Sequence, residues 1–102
     1  TSTAGDRRFD IIPVTRLTLD AFALRPQFRD PLWRAAVMAS CLKILSWSGE
    51  VISHHYRNGY WLAARGMARL VHPAYFEIPN ELPEGFEPVL RARDTLRRLS
   101  DG

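Results

Sequence analysis

The hydrophobic pattern of the chain is clearest from Asp30-Pro31 onward. Aspartate is a favoured helix N-cap because its carboxylate accepts a bond from an otherwise unpaired first-turn N–H, and proline in the first turn loses no helical bond. From there Leu32, Trp33, Ala36, Val37, Cys41, Ile44, Leu45 and Trp47 recur at three- and four-residue steps, the repeat of a helix. Polar positions trace only a narrow stripe through Ser40, Lys43, Ser46 or Trp47, Glu50, His54 and Arg57. A helix so apolar around its circumference has to be covered on several sides, by the rest of the chain or by another copy. The pattern predicts a long central helix from Asp30 to Arg57, with Ser48-Gly49 as a point of kinking and Asn58-Gly59 as its terminator.

Asn58-Gly59 also supports a rival reading, because Asn-Gly is a strong hairpin turn; the strands would be Glu50–Tyr56 and Tyr60–Ala64, giving an α+β fold with a hairpin at residues 50–64. The downstream pattern favours a second helix, antiparallel to the first. It places Tyr60, Ala63, Ala64, Met67, Leu70 and Val71 on one stripe and Arg65 and Arg69 on the other side, up to His72-Pro73. Toward the N-terminus, residues 1–8 are small, polar and charged and are expected to be disordered. The run Phe9–Val14 contains Pro13 and reads as an extended arm or edge strand, followed by a short helix capped by Thr18 or Asp20 and stopped at Arg25-Pro26. Residues 73–88 carry four prolines and four glutamates with no basic residue. They predict an extended acidic connector, pinned by Tyr75, Phe76, Ile78 and Phe86. A final helix, Glu87–Leu99, sets Val89, Ala92, Leu96 and Leu99 against Arg91, Arg93, Arg97 and Arg98. The expected fold class is mainly α: one domain over residues 1–102, a small helical bundle around a long central helix.

Composition changes this picture little. At 102 residues, with 46% hydrophobic and 25% charged side chains, the chain is sized for one core and lies far from the composition of disordered proteins. The single cysteine, Cys41, excludes an intramolecular disulfide and suits a reducing, cytoplasmic setting. Arg34, Lys43 and Glu50 interrupt the apolar stretch Leu32–Ile52, and the first residues lack a signal-peptide core, so neither a membrane partner nor secretion is expected. The formal charge is +3, with 13 arginines and one lysine. An Arg-rich genome composition accounts for that bias better than anion or nucleic-acid recognition, which usually brings a stronger, clustered excess. Residues 1–76 hold 10 basic and 5 acidic side chains and residues 77–102 hold 4 and 6, which predicts that the two parts fold onto one another.

Candidate chemistry is sparse. Glu50 and His54, four apart, would share a helix face as an acid–base or ligand pair, but two groups do not make a metal site, and no recognised metal spacing brings in His55, His72 or Cys41. Cys41 among Ala39, Leu42 and Ile44 reads as a small core hydrophobe. No nucleophile elbow, P-loop or dinucleotide fingerprint is present, so no catalytic residue, metal ligand or cofactor is assigned. Arg57, Arg65 and Arg69, interleaved with Tyr56, Tyr60 and Trp61, could contact phosphate and stack on bases. The aromatics Trp33, Trp47, Tyr60 and Trp61 fit an interface core. The leading expectation is a non-enzymatic interaction or regulatory module that self-associates, as a dimer, or binds another protein. The alternatives are a nucleic-acid-binding regulator using the Arg-rich face, and a small ligand-binding protein or enzyme with a site near Glu50 and His54.

Overall fold

Asp30 caps the longest helix as its position requires, its side chain accepting from the Leu32 N–H at 3.0 Å with Pro31 in the first turn. In the computed structural model, which describes residues 9–77, 79 and 81–102, that helix is the second of four among the described residues. They are α1 (Ile11–Phe22), α2 (Pro31–Val51), α3 (Arg57–Ala68) and α4 (Glu87–Asp101). Short 3-10 turns at Pro26–Arg29, His54–Tyr56 and Pro73–Phe76 lie between them. The fold is mainly α. No strand occurs among the described residues, so the hairpin at residues 50–64 is overturned. The expected disorder of residues 1–8 and the pinning by Ile78 lie outside the described residues.

Several boundaries differ from those the pattern predicts. The central helix stops at Val51, not Arg57, because Ile52 and Ser53 are extended, with ψ of 149° and 136°. The chain then turns through 117° into the next helical stretch, so α3 is not the antiparallel partner of α2. Asn58-Gly59 does not terminate a helix but sits in the first turn of α3, where backbone N–H groups have no intrahelical partner anyway. The turn draws Ile52 into the core and lets Arg57 Nη2 donate to the Glu50 carbonyl at 3.2 Å, satisfying an orphan acceptor near the end of α2.

Ser48-Gly49 does not kink α2, which runs unbroken to Val51. Gly49 instead permits a close approach: a Cβ at that position would lie 2.7 Å from Tyr60 Cε1 and 2.8 Å from Trp61 Cε2. The absence of a side chain is what allows the start of α3 to lie on the end of α2.

The arm or edge strand expected at Phe9–Val14 is helical instead. Pro13 is the third residue of α1, in the first turn, where its missing N–H costs nothing. Neither Thr18 nor Asp20 caps this helix. Thr18 donates back to the Val14 carbonyl at 2.7 Å, and Asp20 pairs with Arg16 at 3.5 Å.

The core overlaps the stripe expected on α2 only in part, at Leu45 and at the partly buried Val37 and Cys41. Ala35, Met38, Leu42 and Leu45 are buried, whereas Leu32, Ile44 and Trp47 are exposed. Each buried leucine or methionine contributes on the order of 1.5–3 kcal/mol relative to exposure. α2 packs against α1 on one side and α4 on the other, while α3 contacts both α1 and α4, closing a four-helix ring around Leu19, Tyr60, Ala64, Tyr75 and Leu96.

The inward face of α3 is Tyr60, Ala64, Met67 and Ala68, with Ala63 and Leu70 turned outward, against the expected stripe. α4 begins at the predicted Glu87 and buries Val89, Leu96 and Leu99, but Arg93 joins them rather than the outer basic set. The acidic segment is not extended throughout: Pro73–Phe76 forms a turn that inserts Tyr75, and Gly85, at φ +93°, makes the left-handed turn leading into α4. The two parts of the chain do fold onto one another, α4 packing against α2 and α3, with Arg16–Asp20 and Arg93–Asp94 as local ion pairs among the described residues.

Candidate association surface

Aromatic side chains anchor the two ends of α2. At its C-terminal end Phe9 meets Tyr56 and Tyr60 edge-on, at centroid distances of 6.3 and 5.8 Å, and the Tyr60 hydroxyl donates to the Leu45 carbonyl at 2.6 Å. At its N-terminal end Phe22 meets Trp33 at 5.6 Å, Phe28 meets Tyr75 and His72, and the Tyr75 hydroxyl donates to the Leu19 carbonyl. These contacts fix α1 antiparallel to α2, with Phe9 near the end of α2 and Phe22 near its beginning.

The four aromatics expected at an interface are thereby separated. Tyr60 is fully buried, and Trp33 and Trp61 are half-buried against Phe22 and against Tyr60 and Gly49. Trp47 alone of the four is largely exposed, at 56%. The exposed apolar surface comes mostly from other positions on α1, the turn after it and α2. On α1 and the turn after it, Val14, Leu17, Ala21 and Leu24 point outward, Leu17 being 67% and Leu24 88% exposed. On α2 the outward positions include Ile44, Trp47 and Val51. α1 and α2 pack side by side, and each carries an exposed apolar stripe on its outer face. The α1 stripe was hidden in the sequence by Pro13, which suggests a strand or arm and conceals that the three- and four-residue spacing starts at Val14.

The arginines proposed for anion contact do not form one patch. Arg57 is tied to the Glu50 carbonyl at the start of α3. Arg69, just past its other end, donates to the Ser100 carbonyl at 3.2 Å, and the Arg65 side chain lies beside Gly102. The span from Arg57 to Arg69 is about 18 Å at the helical rise. Elsewhere Arg34 donates to the Phe28 carbonyl at 2.7 Å and Arg97 to the Phe76 carbonyl at 3.2 Å. A guanidinium is suited to this because it stays charged and offers several donors, and much of the chain's arginine is spent holding carbonyls at the ends of elements.

Glu50 and His54 do not share a helix face. Glu50 lies in the last turn of α2 and His54 in the following 3-10 turn, with the extended Ile52-Ser53 between them, and both are exposed. His72 Nδ1 accepts from the Ala74 N–H at 3.0 Å, a local cap. No group of three or more His, Cys, Asp or Glu able to hold a metal occurs among the described residues.

Burial pushes the Cys41 thiol above its ordinary value, which makes it a poorer nucleophile at neutral pH. Tyr75 is pushed up to about 12, first by burial and then by the negative charge available at Cys41 and Asp20, with Arg34 opposing. Both shifts favour the neutral forms of packed side chains. No single helix among the described residues is long and apolar enough to cross a membrane. No family model, curated protein or solved structure matches the chain.

Proposed function

We propose that this chain is a non-enzymatic association module that pairs with a second copy through the outward flank of α1 and α2. The observation that carries the reading is the exposed stripe Val14, Leu17, Ala21 and Leu24, whose 3-4-3 spacing is that of a helix–helix seam. Solvating that much apolar side chain along one line is unfavourable, and such stripes are common where helices meet partners. A second copy suits it best. The stripe carries no charge, so two copies meet along it without repulsion or buried unpaired ions, and Ile44, Trp47 and Val51 extend the apolar contact on the adjoining helix.

The test is sedimentation equilibrium across low to high micromolar concentration. The native chain is expected to dimerise, and Leu17→Glu to be monomeric with unchanged helical circular dichroism, because Leu17 contributes little to the monomer core. A native chain that stays monomeric, or a Leu17→Glu variant that dimerises as well as the native chain, removes this reading.

A further inference from the structure

We propose that the cleft between α2 and α4 is a binding site for a small amphipathic anion, its carboxylate or phosphate head held between Lys43 and Arg91. The cleft has a volume of about 460 Å³, within the size range of small-molecule sites, and is walled by one helix on each side. Lys43 comes from α2 and Arg91 from α4, so two cations reach the same opening from opposite walls.

Seven of the other described arginines are engaged within the chain, and while Arg25, Arg29 and Arg65 share with Lys43 and Arg91 the lack of a side-chain partner, Lys43 and Arg91 are the two that line this one cleft. Arg34, Arg57, Arg69 and Arg97 hold main-chain carbonyls, Arg16 and Arg93 pair with aspartates, and Arg98 donates to the Thr95 hydroxyl. The side chains of Lys43 and Arg91 make no hydrogen bond or ion pair among the described residues, and no acidic side chain lines the cleft to neutralise them. Two like charges facing one cavity favour an anion there, and the two differ usefully: the guanidinium can grip a planar or tetrahedral head with two bonds, and the ammonium can follow its position.

The rest of the lining matches a ligand with an apolar body. Ala39, Leu42 and Ala92 supply an apolar floor, Leu42 being part of the core. Ser40 and Ser46 bring hydroxyls that have no protein partner among the described residues and can donate to the head. The Thr95 hydroxyl is already used, donating to the Arg91 carbonyl at 3.0 Å, which steadies the wall that carries the guanidinium. A free inorganic ion would leave the floor unused; a neutral amphiphile would leave the two cations unpaired.

The experiment titrates the full chain calorimetrically with octyl phosphate and octanoate below their micelle concentrations, with inorganic phosphate and octanol as controls. Octyl phosphate and octanoate are expected to bind, each about tenfold or more tighter than either control, as charge-assisted bonds and apolar burial together require. Lys43→Gln with Arg91→Gln should weaken both by about tenfold or more, since each removes a charge-assisted contact. Ala92→Leu should block binding by filling the floor while leaving both cations in place. Saturating octyl phosphate should also slow trinitrobenzenesulfonate labelling of Lys43, the chain's single lysine.

The proposal is overturned if octanol or inorganic phosphate binds as tightly as octyl phosphate. It is equally overturned if the double substitution leaves affinity unchanged, or if Lys43 labelling is indifferent to the ligand. Leu17→Glu lies outside the cleft, so a failure of pairing and a failure of anion binding are read separately.

Discussion

Gly49→Ala tests the packing of α3 on α2. Alanine ordinarily stabilises a helix relative to glycine, by up to about 1 kcal/mol, through propensity and a less flexible unfolded chain. At Gly49 the added Cβ would lie 2.7 Å from Tyr60 Cε1 and 2.8 Å from Trp61 Cε2, well inside contact distance. Trp61 is half-buried and can shift. Tyr60 is fully buried, held at its far end by the bond to the Leu45 carbonyl and at its side by Phe9, so moving it disturbs the core. Overpacking of this kind costs about 1–3 kcal/mol.

Gly66 is the matched control. Like Gly49 it is the third residue from the end of its helix, but nothing lies within 4 Å of a Cβ built there. Gly66→Ala is expected to raise stability modestly, and the difference between the two variants isolates the steric term at about 1–3 kcal/mol. For a domain of this size that separates their melting temperatures by several degrees, at about 4–8 °C per kcal/mol. Thermal and urea unfolding followed by circular dichroism should be run at one protein concentration, because pairing would add a concentration-dependent contribution. If the two variants melt together, the close approach of α3 to α2 is wrong.

Three further outcomes follow from individual contacts. Asp30→Ala should destabilise by about 1 kcal/mol in urea unfolding, from loss of the cap on Leu32. Burial pushes the Tyr75 phenol from its ordinary 10.0 up to about 12, so the folded state holds its proton more tightly. Its contribution is therefore full below pH 10 and is lost as pH rises toward 12. Unfolding midpoints should fall across that window, and Tyr75→Phe should remove this component. Cys41, with its thiol pushed up by burial, should react with Ellman's reagent far more slowly in the native chain than in urea; equal rates would mean the site is open.

The fold class and the firmest boundaries were legible because they rest on local chemistry. Asp30-Pro31 starts α2 where cap, proline and periodicity agree, and Glu87-Pro88 starts α4 on proline and periodicity without a side-chain cap. What failed depends on contacts distant in sequence. No local signal tells that Gly49 faces Trp61, or that Ile52 must enter the core, yet those demands break the helix before His54 and move Asn58-Gly59 inside α3. The candidate sites suffered likewise. Glu50 with His54, and Arg57 with Arg65 and Arg69, were grouped by helical phase over a helix that is interrupted or along one whose ends serve different neighbours. Tyr60 and Trp47 look alike as exposed or buried aromatics in a sequence, and only the ring of four helices separates them. Lys43 and Arg91 are 48 positions apart in the sequence, beyond any spacing motif, and the cleft exists only once α4 folds back on α2.

The central helix can now be divided by face. Its apolar circumference predicted burial on nearly every side, and the chain supplies only part of that: Ala35, Met38, Leu42 and Leu45 are covered, whereas Ile44, Trp47 and Val51 are open. A single helix added to each flank of α2 cannot also cover the face opposite the core, and that uncovered face is the one the pairing proposal uses. Lys43 lies beside that open face and at the mouth of the cleft with α4. There it faces Arg91 across a cavity with no acidic lining, the setting on which the anion proposal rests. The two proposals therefore divide the exposed circumference of α2 between a neutral face suited to a copy of itself and a cationic edge suited to a small ligand.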